Sequence, residues 1–221
     1  MMQKKGKIHI GTSGWKYKHW DGTFYPPDLK KSDQLAYYTK IFNTVELNNS
    51  FYRQPKIENY KQWKSAVPDG FLFSVKANRF FTHMKKLKVN ESDIITFLAT
   101  AENLSEKLGP ILFQLPPKWN INTERLSDFL KMLPRNYRYT FEFRNATWYR
   151  QEIYDLLTEH NCAFCSYELA GHQSPLVETA DFVYVRLHGP GDKYQGSYAD
   201  AELENWASLC AEISKNGKDI F

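Results

Sequence analysis

The sequence predicts an α/β fold of the (β/α)8 type, a TIM barrel, as a single domain over residues 1–221. Three observations predict it. Short apolar runs alternate with longer helical patterns along the whole chain. Strand followed by helix, repeated about eight times, calls for parallel strands joined by crossover helices. Polar residues recur late in each strand run, at the end where such a barrel gathers its site. An open doubly wound sheet is the rival, and the recurrence of polar residues at one end favours the barrel.

The elements follow in order. The strand runs are "KIHIG" (7–11), "TVELNN" (44–49), "FLFSVKA" (71–77), "ILFQL" (111–115), "YTFEFR" (139–144), "AFCSYE" (163–168) and "FVYVRLH" (182–188). Each is short, apolar and bounded by turn residues. Between them, 32–42 reads as a helix opening at Ser32 or Asp33, and 56–66 as a helix following Pro55. The pattern 90–109 is helical with Gly109 as its stop. Residues 122–133 form a helix capped by Asn122 or Thr123 and ended before Pro134, and 149–161 and 200–217 complete the set. The segment between the sixth and seventh strands is short and weakly helical. "KDIF" (218–221) begins an eighth strand, and the sequence stops there. The last helix of a complete barrel is missing, so the natural protein is expected to be longer, or the barrel to close imperfectly.

Composition narrows the function classes. Hydrophobic residues make up 42% and charged residues 24%, as in ordinary globular domains. The formal net charge of +4 permits an anionic ligand without demanding nucleic acid. No apolar stretch approaches the roughly 18 residues of a membrane span, and no signal-peptide h-region precedes the first strand. Three cysteines cannot all pair, and Cys162 and Cys165 read as buried thiols. A cytoplasmic location without membrane contact is expected.

The seventh strand shows where the chemistry lies. Val183, Val185 and Leu187 alternate with Tyr184, Arg186 and His188. Alternate side chains leave a strand on opposite faces, so one face is oily and the other carries a guanidinium and an imidazole. Ser13 and Trp15 follow the first strand. Glu46 and Asn48 lie late in the second, with Tyr52 beyond it. Lys76 ends the third, Gln114 the fourth, and Glu142 and Arg144 the fifth. A set converging at one mouth reads as a site. The competing reading is a buried ion network of Glu46, Lys76, Glu142 and Arg186 that only sets packing.

Glu142 and Glu46 are the candidate catalytic carboxylates, since a carboxylate pair can divide acid and base or nucleophile roles. His188 is the third acid–base candidate. Arg186 and Arg144 suit an oxyanion because guanidinium binds phosphate or carboxylate through paired donors. Lys76 reads as an anion clamp. Gly189 and Gly191 open a loop whose amides could approach an anion closely. Asn48, Gln114 and Ser13 add hydrogen-bonding groups, and Trp15 and Tyr52 would cover the substrate. No cofactor is expected. Mg²⁺ or another divalent ion on Glu46 and Glu142 is the alternative the carboxylates leave open, and a zinc set of three or four ligands is not supplied.

The stretches "IGTSGWKYKHWDGTFYP", "FNTVELNNSFYRQP", "FLFSVKANRFFTH", "GPILFQLPP", "FEFRNATW" and "VYVRLHG" together resemble the YecE-like family, a family of uncharacterised proteins labelled as a domain of unknown function. The resemblance covers nearly the whole chain and implies a TIM barrel that continues past its eighth strand with a further helix. It supplies no reaction. The family is distantly similar to endonuclease IV-type and sugar-isomerase barrels, whose His, Asp and Glu metal cluster has no equivalent here. The leading expectation is an enzyme, a hydrolase or lyase, acting on a phosphate-bearing or otherwise anionic small molecule. The alternatives are a nucleic-acid-binding or repair-like protein using the aromatic and basic rim around 14–29, and a non-catalytic ligand-binding barrel.

Overall fold

The alternating pattern folds as α/β structure with parallel strands. The computed structural model describes residues 5–192 and 194–221. The chain divides into two units: Ile10–Leu112, and Phe113–Phe221 together with the residues up to His9.

In the first unit β1 (Gly11–Thr12), β2 (Thr44–Leu47) and β3 (Leu72–Lys76) pair in parallel, and β3 pairs with the start of β4 (Leu108–Leu115). Thr44 sits beside Gly11 and Glu46 beside Ser74. A Cβ on Gly11 would fall 2.0 Å from the Thr44 carbonyl oxygen, so only glycine lets the two backbones approach. The helices are α1 (Gln34–Tyr38), α2 (Asn49–Tyr52), α3 (Ile57–Ser65) and α4 (Glu91–Ala101). α4 buries Ile94, Phe97, Leu98 and Ala101, one stripe at helical spacing. Asp93 accepts from the Asn90 amide at 3.0 Å and closes its first turn.

Two expectations are corrected in this unit. The second strand ends at Leu47, and Asn49–Tyr52 turns helical. Side chains replace the ladder there: Ser50 Oγ lies 2.8 Å from Leu47 O and 2.6 Å from Lys76 O, while Asn78 Nδ2 donates to Ser50 O at 3.0 Å. Gly109 does not stop a helix. α4 ends at Ala101, a 3₁₀ stretch Glu102–Lys107 follows, and Gly109 lies inside β4. A Cβ there would stand 3.2 Å from the Phe73 carbonyl oxygen. The glycine signal marked a close strand approach.

The second unit carries the rest of β4, then α5 (Thr123–Lys131), β5 (Tyr139–Phe143), α6 (Gln151–Glu159), β6 (Cys162–Leu169), β7 (His172–Gln173), β8 (Phe182–Leu187), α7 (Asp200–Lys215) and β9 (Asp219–Ile220). β5 pairs with β6, β6 with β8, and β8 with β9, all in parallel. The expected eighth strand is therefore β9. Ile220 also bridges Ile8 in parallel, with His9 N donating to Ile220 O at 2.8 Å.

β5 is buried at all five positions, as a parallel strand covered on both faces should be. One face is aromatic. Phe141 stacks on Phe113 at 5.3 Å, and Phe143 on Trp148 at 5.0 Å and Phe164 at 5.8 Å. α5, capped by the Asn122 side chain accepting from Arg125 N at 2.8 Å, adds Phe129 to this core. Such side chains contribute about 1.5–3 kcal/mol each on burial. With the odd-numbered positions committed to the aromatic layer, period 2 sends Thr140 and Glu142 to the opposite face.

The segment after β6 holds no helix. Ala170 (φ 51°) and Gly171 (φ 73°) turn the chain into β7, which runs antiparallel to the end of β6. Ser174 Oγ then accepts from Tyr167 N at 2.8 Å, and Thr179 Oγ1 from Phe164 N at 2.7 Å. Hydroxyls bonded to strand backbone hold this stretch against β6.

Candidate functional site

In the second unit, strands β4, β5 and β8 direct Gln114, Glu142 and Arg186 to one place. Glu142 is fully buried. Its Oε1 accepts from Gln114 Nε2 at 2.9 Å and from Arg144 Nε. Its Oε2 accepts from Arg186 Nη1 at 2.5 Å, and Cys165 Sγ lies 3.9 Å away. Burial alone would raise the carboxyl pKa. The Arg186 and Arg144 charges and their hydrogen bonds outweigh it and hold Glu142 at about 2.

Arg144 is the pivot of the cluster. Besides Glu142 it reaches His188, with Nη2 3.3 Å from Nε2, and its guanidinium lies 4.8 Å from the Tyr167 ring centroid. Register places Tyr167 beside Arg186. The Tyr167 hydroxyl is 3.1 Å from that of Tyr149, which donates to Phe143 O at 3.0 Å and lies 3.0 Å from His172 Nε2. Burial raises both phenol pKa values. His188 meets Tyr194 edge-on at 5.3 Å.

This arrangement revises several sequence expectations. Glu142 is held ionised near neutral pH and has both oxygens occupied, so it fixes two guanidiniums and is a poor proton donor. The same guanidiniums make it a poor seat for Mg²⁺. Among the described residues no three His, Cys, Asp or Glu side chains gather as a metal set would require. The Gly189 amide is spent on the Tyr198 hydroxyl at 3.0 Å. The loop is built for that: Gly189 has φ 97°, and a Cβ there would lie 2.2 Å from Gln195 O. Gly191 lies on the same loop without such crowding. Lys193 falls outside the described residues.

The first unit holds the other predicted residues. Ser13 Oγ donates to Glu46 Oε1 at 3.1 Å, and both Glu46 and Lys76 are buried. Lys76 Nζ sits 4.3 Å from the Phe51 ring centroid, and His83 meets the same ring edge-on. Tyr52, the neighbour predicted as a cover, is 71% exposed, because the helical turn α2 presents Phe51 to the lysine instead. Asn48 is half-buried at the head of that turn. Trp15 is a core residue. It packs edge-on against Trp63 at 5.6 Å, and its carbonyl accepts from Tyr25 OH at 2.5 Å.

Tyr149, Tyr167 and His172 were not placed in the site from sequence, and Cys165, read there as a buried thiol, is one. Cys165 and Tyr167 stand on the side of β6 nearest Glu142 and Arg186, a period-2 signal legible in "AFCSYE". Tyr149 and His172 arrive from a turn and a hairpin, and no strand period marks them.

Comparison with known proteins places the chain. The family described as "Protein of unknown function DUF72" matches residues 9–221. The chain is 27% identical to UPF0759 protein YunF of Bacillus subtilis over 247 residues, spanning 97% of this chain and 86% of that protein. It is also 27% identical to UPF0759 protein YecE of Escherichia coli over 143 residues, 64% of this chain and 50% of that protein. The crystal structure of a DUF72 family protein from Thermotoga maritima superposes with a TM-score of 0.83 at 28% identity, covering 97% of this chain and 90% of the other. A DUF72 family protein from Enterococcus faecalis gives 0.75 at 19% identity, covering 98% and 89%, a likeness of fold alone. The sequence resemblance and the match across 9–221 agree: this chain belongs to the DUF72 family.

Proposed function

We propose that the Glu142–Arg144–Arg186–His188 cluster binds a small anion, phosphate-bearing or carboxylate, and acts on it with His188 as the acid–base group. The observation that carries this reading is one ionised carboxylate held between two guanidiniums. The trio has a formal charge of +1, in a site where burial lengthens the reach of charge. Glu142 orients the two guanidiniums, and Arg144, touching both Glu142 and His188, is the natural partner of an incoming oxyanion. Gln114 supports the carboxylate. Tyr167 stacks on Arg144 and restrains its plane. The strands carrying these groups are, in the same reading, part of a TIM-type barrel. The βα alternation, the parallel ladders within each unit and the Ile8–Ile220 bridge support that view.

Titration with inorganic phosphate tests the site, following backbone amides around 142–144 and 186–189 by NMR. Binding should be saturable. Arg144→Gln should weaken it about tenfold, the loss of one charge-assisted contact, with folding preserved by the intact Arg186–Glu142 pair. Equal affinity in wild type and variant would remove the reading.

A further inference from the structure

A concavity lies in the first unit, between α3 and the end of α4. It has a volume of about 580 Å³ and is lined by Lys61, Lys64, Ser65, Glu102, Asn103, Ser105 and Lys107 among others. Lys107 makes it unusual. It is only 6% exposed, and its ammonium donates to Lys64 O at 3.0 Å and Val67 O at 2.6 Å. These are carbonyls, not a carboxylate. Among the described residues its third N–H has no protein partner, and a buried cation ordinarily has a counter-charge. Glu106 bonds Lys64 at 2.9 Å on the surface and also feels the Lys107 charge, but makes no contact with the Lys107 ammonium. With Glu102 and Glu106 set against Lys61, Lys64 and Lys107, the balance is one positive charge in excess.

The backbone is bent to create this wall. Ser105 holds φ 51° and ψ −125° inside the 3₁₀ stretch that delivers Lys107. A non-glycine residue there costs on the order of 1–3 kcal/mol, a strain that tends to persist at ligand sites. The hydroxyls of Ser65 and Ser105 line the same hollow. They now donate to Gln62 O at 3.0 Å and Glu102 O at 3.4 Å, the second a long bond that a better acceptor would displace. A hollow of this size is right for a small metabolite.

We propose that this concavity is a second binding site, for a small phosphate-bearing anion held by the ammonium groups of Lys61 and Lys107 and the hydroxyl of Ser105. The site is carried by the first unit and does not depend on the Glu142 cluster.

The test is an NMR titration of the full chain with inorganic phosphate, and in a second arm glycerol 2-phosphate. Saturable shifts are expected at amides 61–65 and 102–107. Lys61→Gln should weaken them about tenfold. Lys107→Met should abolish them while the variant still melts cooperatively. If Lys107→Met does not fold, Lys61→Gln and Ser105→Ala decide. Arg144→Gln should leave these shifts unchanged, which separates this site from the other. Tighter binding of the ester assigns the site to organic phosphates, and equal binding assigns it to the free ion. Absence of saturable shifts at 61–65 and 102–107 up to about 10 mM, or equal binding in Lys61→Gln and Ser105→Ala, would overturn the proposal.

Discussion

Glu142 illustrates how a residue's environment decides its work. The type and position suggested an acid or base, yet two guanidiniums hold it ionised from an ordinary value of 4.5 down to about 2. The linkage to stability has a definite sign. A carboxyl whose folded pKa is depressed stabilises the fold above its unfolded pKa and loses that contribution as pH falls toward the folded one. Glu142 should therefore supply about 3 kcal/mol at neutral pH, fading between the two values. Glu142→Gln should lose about 3–5 kcal/mol in urea unfolding at pH 7, since two buried guanidiniums lose their counter-charge. Between pH 5 and 3 its stability should vary less steeply than that of the wild type. An unchanged acid limb would show that the carboxylate is not held as described. Arg144→Lys would keep the charge but lose the planar contact with Tyr167 and the Nε bond to Glu142. It should bind phosphate more weakly than wild type in the same titration.

At the level of elements, period 2 was the most informative signal. Arg186 is buried with Glu142 while Leu187 is 36% exposed, so the strand's polar face turned inward and part of its oily face outward. Val183 still packs on α7, with Ile213 and Ile220. Period could not reveal the β6–β7 hairpin, which is only two residues deep, nor the stretch after it, which the Ser174 and Thr179 hydroxyls hold to β6. Nor could it reveal α2, set by Ser50 and Asn78 bonds to carbonyls distant in sequence. Two variants test the elements directly. Asn122→Ala removes the α5 cap and should cost about 1 kcal/mol in urea unfolding. Gly189→Ala combines a left-handed φ with a Cβ 2.2 Å from Gln195 O. It should speed amide exchange across 189–198 and leave the β5–β6 ladder protected; uniform protection in both proteins would contradict the loop account.

For the whole molecule, alternation of strand and helix was legible because the parallel strands read as short apolar runs and the helical crossovers as 3.6-residue stripes. Membership of the DUF72 family was legible for a related reason: the stretches that carry the resemblance are the strand runs and the turns that follow them. What the sequence could not supply was pairing. It named Gln114, Glu142, Arg144, Arg186 and His188 within one larger converging set that also held Ser13, Glu46, Asn48 and Lys76, but not that one carboxylate would anchor both arginines. It placed Trp15 and Tyr52 over a ligand, whereas one belongs to the core and the other to the surface. Among the described residues no helix is long and apolar enough to cross a membrane. The most direct test of the anion site is diffraction from crystals grown without sulfate or phosphate and then soaked in phosphate. The account predicts tetrahedral density within hydrogen-bonding distance of Arg144 and His188. Full soaking with no density there, and Arg144 and Arg186 still bonded only to protein groups, would contradict it.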